Sequence, residues 1–202
     1  MFREPQDSYN LRAERGPSEF DVTHRFVASY VWELPFGHGR RFGDGWNRAA
    51  DFALGGWQIT GIHVLQSGLA LTPTINASAV PNLGGERRVR PNLVGTPELP
   101  ESERTLARWF NTDAFVSPAP QAFGNAGVGI MRGPGLANFD FSIAKTFSIA
   151  DRRDLQFRTE IFNAFNHANF GPPNLARESS GFGQILTAGN ARIIQLGVKF
   201  LF

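Results

Sequence analysis

Alternation of apolar and polar residues, repeated in segments about ten residues long, limits this chain more than any other feature. Successive side chains of a β-strand point to opposite faces, so such a segment has one greasy face and one wet one. In 139–147 the odd positions are Phe139, Phe141, Ile143 and Phe147, and the even ones Asp140, Ser142, Ala144 and Thr146. After a turn at 150–154, Leu155, Phe157, Ile161 and Phe165 oppose Gln156, Arg158 and Glu160. At the end, Ile194, Leu196, Val198, Phe200 and Phe202 oppose Gln195, Gly197 and Lys199. Near the start, Phe20, Val22, Phe26, Ala28, Tyr30 and Trp32 oppose Asp21, Thr23, Arg25, Ser29 and Glu33. The segment from Trp57 to Ser67 is less regular, because Gly61 and His63 interrupt its apolar row. Helical periodicity is nearly absent. The pattern predicts an all-β chain with five strands near 20–34, 54–67, 137–148, 154–166 and 191–202.

The connections decide what kind of sheet this is. Residues 68–136 hold 8 of the 13 prolines and read as one long irregular loop, with a second long loop from His167 to Asn190. The turn at 150–154 is short, and the Gly/Arg-rich linker from Pro35 to Asp51 is intermediate. A loop of that length is foreign to a compact soluble domain, whereas transmembrane barrels combine long outer loops with short inner turns. Within it, 102–110 predicts two helical turns capped by Ser102, with Leu106, Trp109 and Phe110 on one face. About 9–11 tilted residues cross the hydrocarbon core, which suits these strands. Charged residues are only 19%, while Phe alone numbers 19, so much of the apolar surface has no aqueous purpose. A turn centred near 151 sets Ser142 opposite Glu160 and Ala144 opposite Arg158. Asp140, Ser142, Arg158, Glu160 and Lys199 then share a lumenal face. Lys145 falls on the apolar face close to the turn, where its ammonium is expected to reach the headgroups. A soluble β-sandwich shares the alternation but not the loop and strand lengths.

Other chemistries find little support. The chain has no Cys, which excludes thiolate metal sites and Cys nucleophiles. His24, His38, His63 and His167 show no ligand spacing. Gly124-Asn-Ala-Gly-Val-Gly129 matches no phosphate loop, and no G-x-S-x-G is present. No catalytic residue, cofactor or metal site is expected. A formal charge of +2 speaks against a nucleic-acid partner, and Arg87-Arg88-Val89-Arg90 reads as a solvated loop. Met1 to Asp7 lacks the apolar core of a signal peptide.

The last eight residues, Gln195-Leu-Gly-Val-Lys-Phe-Leu-Phe202, resemble the β-signal of outer-membrane barrels. Longer stretches resemble the late barrel strands of TonB-dependent receptors of the Oar-like type. They are Asp21 to Gly37, Gly55 to Gly61 with Gln66 to Gly68, Trp109 to Phe115, Phe123 to Gly127, Arg132 to Gly135, and Phe157 to Phe170. The resemblance runs in order over nearly the whole chain. It implies the C-terminal part of a barrel of 22 strands, plugged by an N-terminal domain and driven by the TonB complex, in the outer membrane of a Gram-negative bacterium. No plug domain, TonB-contacting segment or signal peptide is recognisable, so residues 1–202 read as a partial C-terminal barrel domain. The partners implied are outer-membrane lipid, the rest of the barrel with its plug, the barrel-assembly machinery and, through the plug, TonB. Ile194, Leu196, Val198, Phe200 and Phe202 then form the assembly signal. Two aromatic bands are expected, Trp32, Trp57, Phe147 and Phe202 at the inner interface and Phe20, Phe139 and Phe165 at the outer one. A surface adhesin or glycan-binding β-domain is the alternative reading.

Overall fold

The computed structural model describes residues 5–75, 89–150 and 153–202. Among the described residues nine strands, β1 Arg25–Glu33, β2 Trp57–Gln66, β3 Ala70–Leu71, β4 Asn92–Leu93, β5 Phe115–Val116, β6 Met131–Arg132, β7 Leu136–Ala150, β8 Arg153–Phe162 and β9 Ile193–Leu201, and one short helix, α1 Arg48–Leu54, carry the fold. They fall into two compact units.

The first unit is a five-stranded sheet in the order β1-β2-β7-β8-β9. Sequence neighbours pair antiparallel throughout β1–β2, β7–β8 and β8–β9. Between β2 and β7, the Thr146 N–H meets the Gly56 carbonyl while His63 lies beside Phe139 and Phe141, so that pair also runs antiparallel. The order is that of an up-and-down meander. Among the described residues β1 and β9 each have one strand neighbour, so the sheet is open at both edges. The turn register is the one that parity demands: Ser142 pairs with Glu160 and Ala144 with Arg158. A bulge at Ile149 separates the regular ladder from the final pair, Ala150 with Arg153. The tip, Asp151 and Arg152, lies outside the described residues.

Several boundaries differ from the sequence pattern. The first strand begins at Arg25; Phe20 lies in a turn and Val22 in irregular chain before it. Arg132 holds this entry segment by donating to Asp21 Oδ2 at 2.6 Å and to its carbonyl at 3.1 Å, so side-chain bonds replace a ladder there. The second strand begins at Trp57 because Asn47 caps α1, accepting from the Ala50 N–H at 2.8 Å, and the helix occupies the chain up to Leu54. The fourth ends at Phe162, where Asn163 and Asn166 take positive φ (49° and 54°). That left-handed geometry ends a strand.

The larger correction concerns the loops. Residues Met1–His24, Ser67–Leu136 and Phe170–Gly189 form the second unit, with its own core. Leu71, Phe110, Ala114, Phe115, Ala126 and Met131 are buried together, with Trp109, Leu175 and Phe182 packed against them. Phe110, Phe115 and Phe182 meet edge-to-face at 5.1–6.0 Å. Two-residue ladders, β3–β6 and β4–β5, fold the Ser67–Leu136 segment onto itself. The expected helix at 102–110 is only a 3-10 turn at Glu101–Glu103 with Pro100 before it. Leu106 faces solvent and Phe110 enters the core. Prolines forbid long ladders here, yet Ser67–Leu136 supplies every buried member of this cluster, and Phe170–Gly189 adds Leu175 and Phe182 against it.

The basic run is corrected too. Arg87 and Arg88 lie outside the described residues, but Val89 and Arg90 are buried, Arg90 to 3% exposure. Its guanidinium grips both Glu14 carboxylate oxygens at 2.6 and 2.8 Å and donates to the Ala126 carbonyl at 2.7 Å, while its backbone N–H donates to Gln6 at 3.0 Å. Gly124 packs here. A Cβ on it would stand 2.0 Å from the Arg90 carbonyl, so this glycine serves close packing.

Candidate functional site

Register assigns every strand residue of the sheet to a face. Pairing of Tyr30 with Gly61, Lys145 with Phe157, Leu155 with Phe200 and Phe157 with Val198 joins one row to the next. One face carries Phe26, Tyr30 and Trp32 of β1, Ile59 and Leu65 of β2, and Phe139, Phe141, Ile143 and Phe147 of β7. It continues with Leu155, Phe157 and Ile161 of β8 and Ile194, Leu196, Val198 and Phe200 of β9. Nothing in the sheet unit covers its β9 end, where Leu196 is 77% exposed. Phe202 follows the last strand and stacks on Phe200 at 5.8 Å. A bare apolar surface of this extent is what water-soluble proteins avoid.

The opposite face holds Asp140, Ser142, Arg158, Glu160 and Lys199 together. Gln156 pairs with Lys199 and Glu160 with Gln195 across β8–β9. Arg158 donates to Glu160 at 3.2 Å and to Gln156 at 3.4 Å, along its own strand. Asp140 is spent on structure, accepting from the Asn163 N–H at 2.8 Å. The β1–β2 part of this face is different in kind. Val27 pairs with Val64, and Ile62 and Val31 stand nearby in the same row, with Val27, Val31 and Ile62 exposed. Val27 and Val31 share this side with Arg25, Ser29 and Glu33, so the polar row of 20–34 is mixed.

Aromatic contacts gather at the two ends of the apolar face. At one, Phe139 and Phe141 meet Phe165 at 5.0 and 6.3 Å. His63 lies among Tyr30, Phe139 and Phe141 at 4.9–5.5 Å, its Nδ1 buried without a partner. At the other, Phe147 meets Phe52 of α1 at 4.6 Å and Phe157 at 5.8 Å. Phe139 and Phe147 are eight residues apart, about 27 Å of strand. Trp57 and Phe147 converge on Lys145, whose Nζ lies 5.5 and 4.9 Å from their ring centres. Trp32 sits on the same face near the same end, opposite Ile59. Phe20 belongs to the other unit.

Lys145 behaves differently from the sequence expectation. It is 5% exposed, and its ammonium donates to the Gly55 carbonyl just past α1. A backbone acceptor and two aromatic faces hold the charge, so it does not extend into water. Nothing in the alternation announces that acceptor, because α1 is seven residues in a Gly/Arg-rich linker.

The end of β7–β8 away from their turn contains a polar knot. Asn163 is buried; its amide donates to the His167 and Asn190 carbonyls at 2.9 and 3.0 Å and accepts from the His167 N–H at 2.9 Å. Asn166 accepts from the Arg192 N–H at 2.9 Å and Asn169 from the Ala137 N–H at 2.8 Å. Asn at every third position, 163, 166 and 169, was the signal available in the sequence.

Among the described residues no three His, Asp or Glu side chains gather as a metal site, and no helix is long and apolar enough to cross a membrane. The latter leaves strand crossing open. A family model, the outer membrane beta barrel domain, matches residues 2–195. The chain belongs to that family. Neither the curated proteins nor the solved structures give a match. The open five-stranded sheet is therefore part of the wall of an outer-membrane β-barrel, in the outer membrane of a Gram-negative bacterium and in contact with its lipid.

Proposed function

We propose that this barrel domain is the C-terminal part of an Oar-like TonB-dependent receptor, which takes up a ligand across the outer membrane without chemical conversion. In this reading the row of Phe, Ile, Leu and Val faces lipid, and Asp140, Ser142, Arg158, Glu160 and Lys199 face the lumen. Trp32, Trp57 and Phe147 lie at the inner interface. Strands outside residues 1–202 continue the sheet from the free edges of β1 and β9. The plug brings in the TonB complex, and the barrel-assembly machinery reads Ile194, Leu196, Val198, Phe200 and Phe202.

The observation that best supports a plugged receptor over an open pore is the patch of Val27, Val31, Ile62 and Val64 on the face opposite the lipid row. A water-filled lumen is lined by polar groups. Four branched aliphatic side chains there call for a packed occupant worth about 25 cal/mol per Å² of apolar surface covered. A plug domain supplies one.

The test uses Val27→Cys in the whole receptor, since residues 1–202 have no Cys of their own. A membrane-impermeant maleimide should leave this cysteine unmodified in the intact receptor and label it once the plug is deleted. Rapid labelling in the intact receptor would favour an open channel.

A further inference from the structure

The connection between β1 and β2 is more elaborate than a strand reversal requires. Phe36 stacks on Trp46 with ring centres 6.4 Å apart and meets Phe42 at 5.9 Å. Backbone bonds from Gly37 to Phe42 and from Phe42 to Pro35, 2.8 and 2.9 Å, close the loop beneath them. Asp51 of α1 accepts from the His38 N–H at 2.6 Å, tying helix to loop. This assembly leaves its apolar groups outside: Phe36 and Phe42 are exposed, and Phe52 and Leu54 of α1 are 65% and 53% exposed. Phe52 also packs on Phe147, which makes α1 continuous with the lipid-facing row.

Charge accompanies the apolar groups. Arg40 is paired with Glu33 at 2.8 Å, but Arg41 lies over the Phe42 ring and Arg48 opens α1, neither with a carboxylate partner among the described residues. Free guanidiniums beside exposed Phe and Leu, at the edge of a hydrocarbon-facing wall, fit a phosphodiester above an acyl chain. The connection lies at the strand ends joined by the short β7–β8 turn, the periplasmic side of such barrels.

We infer that residues 35–56 form a docking platform for net-negative glycerophospholipid headgroups in the periplasmic leaflet. Phe52 and Leu54 enter the acyl boundary, and Arg41 and Arg48 take the phosphate. The inference rests on the lipid-facing assignment of the apolar face. The absence of Cys gives clean labelling sites. A bimane on Leu54→Cys reports the platform, and one on Leu196→Cys reports the wall, in the full chain reconstituted into vesicles containing dibrominated phosphatidylglycerol or phosphatidylcholine. Both labels should be quenched. The Leu54 label should prefer phosphatidylglycerol, by about fivefold per guanidinium, and Arg41→Gln with Arg48→Gln should abolish the preference while leaving the Leu196 signal unchanged. A Leu54 label that stays bright while the Leu196 label is quenched overturns the platform and leaves the wall assignment standing. Equal quenching by both lipids overturns headgroup recognition. Two bright labels overturn the wall assignment and the platform with it.

Discussion

Tyr30 and Gly61 show how one residue explains an irregularity of the pattern. Gly61 interrupts an apolar row, yet Tyr30 from the neighbouring strand lies over it, and a Cβ there would come within 2.5 Å of the Tyr30 ring. Aromatic cover of a strand glycine restores the area that the glycine gives up. Gly61→Leu should displace the ring and cost about 1–3 kcal/mol, the range for overfilling a packed site, read as a lower urea midpoint in vesicles. Asp44 gives a pH effect at the same scale. The Gly39 N–H at 2.8 Å, then the His38 side chain, hold its carboxyl below the ordinary carboxylate range. A depressed folded value means that the interaction is present above the unfolded pKa and is lost as pH falls through the folded one. The Gly39 amide resonance should therefore move on acidification below that range, and Asp44→Asn should remove the transition.

At the scale of elements, two junctions hold segments whose backbones lack ladders. Asn163 satisfies two carbonyls with one amide while adopting positive φ. Asn163→Asp keeps the backbone tolerance but sets a carboxylate against both carbonyls, so the end of β8 and the start of β9 should exchange amide hydrogens faster. A loss of about 1–3 kcal/mol is expected, and Asn163→Gly should lose less than Asn163→Asp. In the other unit, Glu14→Gln strands the buried Arg90 guanidinium. Removing one member of a buried pair costs about 3–5 kcal/mol. Limited proteolysis should then cut the segment preceding β1, while Arg90→Met with Glu14→Gln should recover part of the protection.

For the molecule as a whole, the two faces of the sheet should respond oppositely to charge. Leu196→Arg places a guanidinium on the lipid-facing row, where about 2–4 kcal/mol is typical near the bilayer midplane. Lys199→Leu, on the other face, should leave insertion nearly unchanged. Heat-modifiable gel mobility of the membrane fraction measures both, and equal effects would contradict the assignment of faces. On the proposed transport reading, deleting Phe202 from the full-length protein should lower the inserted fraction while uptake per inserted molecule stays constant. Lost uptake at normal insertion would make the last strand part of a transport site.

What the sequence determined was the sheet, since its long strands carry a face assignment in a period of two, interrupted in β2 by Gly61 and His63. Ser142 opposite Glu160 follows from parity and a turn position alone. Ile194, Leu196, Val198 and Phe200 of β9 on one face, and Asp140, Ser142, Arg158, Glu160 and Lys199 on the other, were legible for the same reason. Three features had no periodic signal. The core around Phe110 and Phe115 draws on segments separated by up to about a hundred positions, and Pro-rich stretches show no repeat to reveal their apolar residues as a set. Lys145 is buried because a seven-residue helix delivers the Gly55 carbonyl to it, a contact that alternation along one strand does not encode. Arg90 looked solvated because its partners, Glu14, Gln6 and Ala126, come from two other segments. Local pattern specifies which way a strand residue points, whereas the partner of a buried charge and the membership of a non-periodic core are set by three-dimensional closure.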